Sequence, residues 1–331
     1  MNLTLHSIFP KRFDWLCLIP IVVFLVIVLL YFCFLYTPKS NVQCVTELTQ
    51  PIVALSFDPN SSEINPTGGW LYNIANGELL DLGDTPEVVC DFDSERDTLL
   101  GIHEGMVTEA GVQDGSRLSK GAAEYEGSAF VSHTLQYRPQ SRDYSALTKS
   151  GILVLWEEKT TAYRELARFD WYEYAFAYSW LEDGKRVCIP DQNGIGILDT
   201  DTLVQEHWLT VDITYSDGGP LPPTCKRPFV VSPKGDFVVF CGGTAKDKMM
   251  ISFIDGEGEL QSPEPLTDAR SDGRCWFDIS PDGKSVIYGL AAQKNTLFNP
   301  TYYEVWLYHA GERYRLFESK ESTNPGIGIY W

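Results

Sequence analysis

Phe277-Asp278-Ile279-Ser280-Pro281-Asp282-Gly283-Lys284-Ser285-Val286-Ile287-Tyr288 is the stretch whose reading decides the fold. Two short β-rich runs flank a Ser-Pro-Asp-Gly turn, the signature of two consecutive strands. The same form stands upstream at Phe229-Val230-Val231-Ser232-Pro233-Lys234-Gly235-Asp236-Phe237-Val238-Val239-Phe240. It stands again at Tyr178-Ser179-Trp180-Leu181-Glu182-Asp183-Gly184-Lys185-Arg186-Val187-Cys188-Ile189. Weaker copies begin at Ala54 and Val89, and a further one includes Leu135 to Pro139.

Aligning Phe57, Phe92, Tyr137, Trp180, Val231 and Ile279 gives steps of 35, 45, 43, 51 and 48 residues. The mean, about 44, is the length of a four-stranded propeller blade. No long stretch after residue 48 has helical period; short β-rich runs such as Met250 to Ile254 and Glu304 to Tyr308 alternate with Gly, Asp, Asn and Pro turns. A single blade leaves its faces uncovered, so the units are expected to stack around an axis. The expectation is an all-β chain, a β-propeller of about six four-stranded blades over residues 49–331, with a degenerate seventh as the alternative. Pro325 to Trp331 reads as another first strand, cut before its turn, that closes the ring.

On these residues the chain resembles the TolB-like and WD40-like propellers, whose repeat runs strand, Ser-Pro-Asp-Gly-Lys, strand. The likeness is literal at Ser280 to Lys284, close at Ser232 to Gly235 and Asp183 to Lys185, and loose before residue 140. It implies a fold and is nearly silent on activity.

Residues 15–36 form an apolar run of 22 residues, interrupted only by Pro20 and the weakly polar Cys17 and Cys33, long enough to span a bilayer as a helix. Lys11 and Arg12 precede it and only Lys39 follows closely, so residues 1–14 are expected in the cytoplasm. The run exceeds a signal peptide's apolar core and no small-x-small site follows Tyr36, which favours an uncleaved signal anchor over a cleaved leader. Residues 37–48 then read as a linker, and the propeller as periplasmic, lumenal or extracellular. Those compartments permit disulfides among Cys44, Cys90, Cys188, Cys225, Cys241 and Cys275; bridges and buried free thiols both fit the spacing.

The whole chain carries 45 acids against 26 bases, a net charge of −19. With Lys11, Arg12 and Asp14 set aside, residues 37–331 hold 44 acids and 24 bases, net −20. No basic stripe interrupts this, which argues against nucleic acid as a partner. The acidity suits solubility, and also a cationic partner or metal ions.

Candidate sites are few. Asp91, Asp93, Glu95 and Asp97 alternate along an extended chain and offer oxygen ligands to Ca²⁺, yet Arg96 stands where a calcium loop of the EF-hand type needs Gly; Asp-rich blade turns explain the same pattern. Tyr172, Tyr174, Phe176, Tyr178 and Trp180 put five rings on one face of a strand, either to stack on a ligand or to fill the wedge between blades. His103-Glu104 is a potential acid/base pair, although scattered histidines are usually turn residues. Glu104 to Gly127 fits no strand pattern and reads as a long loop, and Asn60-Ser61-Ser62 is a glycosylation sequon. A signal anchor before a propeller resembles the front half of membrane-bound dipeptidyl peptidases, but no G-x-S-x-G elbow occurs and no sequence remains for a hydrolase domain. No catalytic residue or cofactor is assigned. The expected function is a membrane-anchored binding or scaffolding module with a protein or envelope partner. The alternative is a hydrolase or lyase acting on glycans or lactones through an axial pocket.

Overall fold

The computed structural model describes residues 47–55, 69–83, 88–169, 177–211, 229–241, 249–266, 276–292, 302–319 and 328–331. All belong to one compact unit, Val42–Trp331. The expected membrane segment at 15–36, together with Cys44, Phe57, Asn60, Tyr172, Tyr174, Phe176, Cys225 and Cys275, lies outside the described residues. Among the described residues no helix is long and apolar enough to cross a membrane.

Six four-stranded antiparallel sheets make up the described residues, with a short hairpin (Glu124–Tyr125 with Ser128–Ala129) and one 3-10 turn at Ser132–Thr134. Blades 2 to 6 each follow chain order from the first, innermost strand outward. Their first strands are Val88–Asp93, Gln136–Tyr137, Ser179–Trp180, Phe229–Val231 and Trp276–Ile279. Blade 1 is composite: Ile329–Tyr330 supplies its innermost strand, and Ile52–Leu55, Trp70–Asn73 and Leu79–Asp81 the other three. Ile329 and Tyr330 pair with Leu55 and Ala54, so the two ends of the propeller are stitched into one sheet.

One bond recurs around the axis. A side-chain oxygen on a first strand accepts the backbone N–H of the next blade's first strand: Asp91 from Tyr137 (2.7 Å), Ser179 from Val231 (3.1 Å), and Asp278 from Trp331 (3.0 Å). These partners are 46, 52 and 53 residues apart, one blade in each case. Trp331 thus stands in repeat register with Tyr137 and Val231. This corrects the alignment of Phe57: the strand just before it, Ile52–Leu55, is the second of its blade, because the first comes from the far end of the chain.

The repeated turn has a physical reason. The Ser280 hydroxyl, 3% exposed, accepts the N–H groups of Lys284 (3.2 Å) and Ser285 (3.0 Å) and donates to Asp282 (2.7 Å). Ser232 does the same for Asp236 and Phe237 (3.0 and 3.2 Å). In blade 4 the carboxylate of Asp183 substitutes, accepting from Lys185 and Arg186 (2.8 and 3.0 Å). The glycine that closes each turn is left-handed, at φ 61° in Gly184, 71° in Gly235 and 69° in Gly283, a region other residues enter at a cost.

The hydrophobic core is distributed in layers between blades. Val230, Val239, Ile251, Phe277 and Tyr288 fill the space between blades 5 and 6, and Leu153, Leu155, Tyr178, Trp180 and Ile189 that between blades 3 and 4. The third and fourth strands of blades 2, 3, 4 and 6 are each paired with a register shift. Such irregularities make an outer edge a poor template for adding another strand.

Glu104 to Gly127 is not a loop. Met106–Gly111 and Arg117–Ala122 are the third and fourth strands of blade 2, joined by a turn at Asp114-Gly115. The outermost strand is exposed along much of its length, so it lacks the apolar alternation that betrays a half-buried strand.

Candidate functional site

Antiparallel order places the first-to-second turns of blades 2 to 6 and the third-to-fourth turns on one face of the ring, here the turn face. Contacts between successive blades confirm this: Arg138 donates to Gly184 O (2.5 Å), Glu182 N–H to Pro233 O (2.8 Å), and Thr49 Oγ1 to Asp282 Oδ2 (3.1 Å).

The axis itself is crossed by protein. His133, on the 3-10 turn that leads into blade 3, meets Trp276 on the first strand of blade 6 edge-on, with ring centroids 6.0 Å apart. Blades 3 and 6 are opposite in a ring of six, so this pair spans the centre. Two acids on the innermost strands, Asp91 and Asp278, are occupied in holding the neighbouring blade, and a third, Asp93, is bound within its own turn.

The four carboxylates proposed for Ca²⁺ are dispersed in their interactions. Asp91 holds Tyr137; Asp93 accepts the Glu95 and Arg96 N–H groups and pairs with the Arg96 guanidinium at 3.2 Å; Asp97 accepts from Gln113 Nε2. Among the described residues, no three His, Cys, Asp or Glu side chains are grouped to hold a metal ion. Of the aromatic stripe, Tyr178 and Trp180 are both 5% exposed, and their O–H and Nε1–H converge on Ser145 Oγ of blade 3 at 2.8 Å. The Tyr178 hydroxyl also lies 2.6 Å from Thr134 O, which places both rings in the wedge between blades 3 and 4. His103 lies on the second strand of blade 2, away from the axis, beside an exposed Glu104.

Sequence reasoning missed two open grooves among the described residues of the turn face. Both sit at one repeat position, where the first residue of the second strand faces the end of the third. That cross-strand pair is Arg186 with Asp199 in blade 4, Phe237 with Phe253 in blade 5, and Ser285 with His309 in blade 6. The first groove, about 440 Å³, is lined by Arg186, Ile197, Asp199, Val204, Glu206 and Trp208 among others. Leu203 and Val204 project beside it, 49% and 52% exposed, and Leu203 holds a left-handed φ of 57°. A leucine there is strained. Trp208 carries the surface on to blade 5, since a Cβ on Gly235 would meet its ring at 3.3 Å.

The second groove, about 310 Å³, lies between blades 5 and 6, with Phe237, Ile251 and Phe253 on one side and Lys284, Tyr308 and His309 on the other. The Phe237 and Phe253 rings are 5.9 Å apart; the first is 5% exposed and the second 38%. His309 Nδ1 is 2.7 Å from Ser285 Oγ. That distance suits a nucleophile and its base, but Ser285 is 1% exposed, so a substrate carbonyl cannot reach it. The Tyr308 phenol is raised above its ordinary pKa by burial, with Glu264 adding to the effect and Arg313 opposing it. It remains a neutral O–H donor at neutral pH.

Fold and surface together define a six-bladed, TolB-like and WD40-like propeller with one groove on blade 4 and another between blades 5 and 6. No family model matches the chain, and no curated protein matches it in sequence. Among solved structures, a putative TolB from Agrobacterium tumefaciens aligns over 81% of this chain and 89% of its own, with a TM-score of 0.54 and 18% identity. TolB from Acinetobacter baumannii aligns over 80% and 69% (TM-score 0.46, 16% identity), and the WD40 domain of Toxoplasma gondii coronin over 84% and 78% (TM-score 0.43, 10% identity). At 18% identity the first of these likenesses shows the fold alone.

Proposed function

We propose that this chain is a membrane-anchored, non-catalytic binding propeller, held by residues 15–36, that docks a protein partner on the turn face of blades 4 to 6. The observation that carries this reading is the run of exposed apolar side chains, Leu203, Val204 and Phe253, beside two neighbouring grooves on one face. Apolar side chains that rim open grooves mark interaction surfaces. The axial alternative, a hydrolase or lyase, needs convergent ionisable groups with room for a substrate. Asp91 and Asp278 are instead committed to neighbouring blades, and the His133–Trp276 pair occupies the centre.

The test is photocrosslinking in native membranes, with a photoreactive amino acid introduced into the full chain at Val204, Phe253 or Leu80. Leu80 is equally exposed, at 53%, but lies on the rim of blade 1. A discrete protein adduct from positions 204 and 253 and none from 80 is expected. Adducts to lipid alone, or equal yields from all three, would remove the binding reading.

A further inference from the structure

We infer that the groove between blades 5 and 6 is a recognition pocket for an acidic, hydrophobic segment of a protein partner: it seats an apolar or aromatic side chain and pairs an adjoining carboxylate with Lys284. This rests on the binding reading above and adds the chemistry of the partner.

The floor is apolar: Phe237, Ile251 and Phe253 present aromatic and aliphatic surface in a space of about 310 Å³. Ligand pockets begin at about 300 Å³, so the space fits one large side chain. Its rim carries donors. Lys284 is exposed and makes no ion pair among the described residues. Arginines near the equivalent turns of other blades are committed, Arg96 to Asp93 at 3.2 Å, Arg138 to Asp143 at 3.3 Å and Arg186 to Asp183 at 2.6 Å, whereas Lys185, which stands at the position of Lys284 in blade 4, makes no ion pair among the described residues either. Ser285 Oγ and His309 Nδ1 share a hydrogen bond at 2.7 Å that fixes the His309 ring at the edge of the groove. Tyr308 adds an O–H. The Lys284 ammonium and the Tyr308 O–H beside an apolar floor complement a carboxylate on an apolar body.

Acids are also present: Asp236 and Asp282 are hydrogen-bonded, and the exposed Glu264 acts on the Tyr308 phenol. Asp236, which lines the groove, accepts from the Ser232 hydroxyl. Asp282, next to Lys284, accepts from Ser280, from the Lys284 N–H and from Thr49. The net charge of −20 does not oppose the assignment at contact distance. Screening confines the mean field of the domain to about 8 Å at physiological salt, whereas Lys284 meets the ligand directly. The register shifts between the third and fourth strands of blades 4 and 6 make those edges poor templates for strand addition.

The probe is a fluorescein-labelled octapeptide of alternating Glu and Phe, with Gln/Phe and Lys/Phe counterparts, titrated by anisotropy against the full chain in phosphatidylcholine nanodiscs. The acidic peptide is expected to bind best. Phe253→Ala should weaken it about fivefold, and Lys284→Glu about tenfold, the scale of reversing one exposed charge pair. Both positions are exposed, so both variants keep the fold. Equal or tighter binding of the Lys/Phe peptide, or affinities within about twofold of wild type for both variants, would overturn the inference. So would displacement of the acidic peptide by phosphatidylglycerol vesicles, which would assign the groove to a lipid surface. A protein crosslinked from positions 204 and 253 together with indifference to peptide charge refutes only the acidic chemistry; the absence of any adduct refutes the parent reading.

Discussion

Replacing Trp331 by alanine attacks the closure of the ring at one residue. The side chain is 4% exposed, packs with the core layer that joins blades 6, 1 and 2, and donates through Nε1 to Gln50 O at 2.9 Å. Its backbone N–H is held by Asp278, and Trp276 donates to Ile329 O at 2.7 Å close by. Burying an indole removes about 200 Å² from water, an upper bound of about 5 kcal/mol at about 25 cal/mol per Å². The hydrogen bond adds about 1 kcal/mol, and partial relaxation of the cavity subtracts a similar amount. Trp331→Ala should therefore cost about 3–5 kcal/mol, a large share of the 5–15 kcal/mol typical of a folded domain. Trp331→Phe should cost about 1–2 kcal/mol, mainly from the orphaned Gln50 carbonyl. The assay is urea unfolding of the full chain in mild detergent, followed by near-UV circular dichroism. Leu80→Ala, on the exposed rim of the same blade, serves as the control and should shift stability by less than about 0.5 kcal/mol. A Trp331→Ala protein within about 1 kcal/mol of wild type would refute the closure argument, because the composite blade could then not depend on its innermost strand.

Lys120, whose side chain is 3% exposed, sits 3.2 Å from Glu109 and 3.4 Å from Glu158, over the Trp156 ring between blades 2 and 3. Lys120→Met should cost about 3 kcal/mol by stranding Glu109, and Lys120→Met with Glu109→Leu should recover most of it; additive losses in the double-mutant cycle would contradict this. The Tyr163 phenol is pushed up to about 12 by burial, against a smaller opposing effect of its bond with Tyr144, and Tyr144 and Tyr137 are raised further by burial in the same region. The folded state therefore retains phenol protons that the unfolded chain releases near pH 10. Stability from this source is complete below pH 10 and falls as pH rises from 10 towards 12, with a shallower decline in Tyr163→Phe; a melting temperature flat across that interval would count against the burial. Burial also drives the Cys188 thiol well above its ordinary pKa, so it should react with a thiol reagent only after urea is added. Gly184→Ala combines a left-handed φ with a Cβ 2.9 Å from Pro139 O, and should lower the melting temperature by a few degrees through the contact of blades 3 and 4.

The repeat was legible where physics demands fixed residue types. A hydroxyl or carboxylate must satisfy two backbone N–H groups, and a glycine must turn left, so Ser232, Ser280, Asp183 and their glycines stand out in the sequence. The closing role of the last strand was legible too, since Ile329 and Tyr330 carry the apolar pattern of a first strand. Blade 1 was set out of register because its weak copy at Ala54 belongs to a second strand whose partner is remote in sequence. The outer strands of blade 2 were lost because Arg117 to Ala122 are largely exposed, although Glu104-Gly105 and Asp114-Gly115 mark the two turns that bound the third strand. The grooves were invisible for a different reason. Phe253 and Lys284 are 31 positions apart and meet only when adjacent blades pack. A sequence signal was available in retrospect: an aromatic pair at the position where the flanking blades carry Arg186–Asp199 and Ser285–His309.

Hydrogen exchange of the full chain in nanodiscs, measured before and after addition of the partner crosslinked at position 253, bears most directly on the central claim that the turn face of blades 4 to 6 is the working surface. The account expects new protection at residues 199–205, 232–237, 251–255 and 280–285, with the first strands unchanged. Protection gathered instead at Val88, Met106 and the His103-Glu104 turn on the opposite face would contradict it, and protection along the axis at Asp91, His133 and Asp278 would favour the alternative axial pocket.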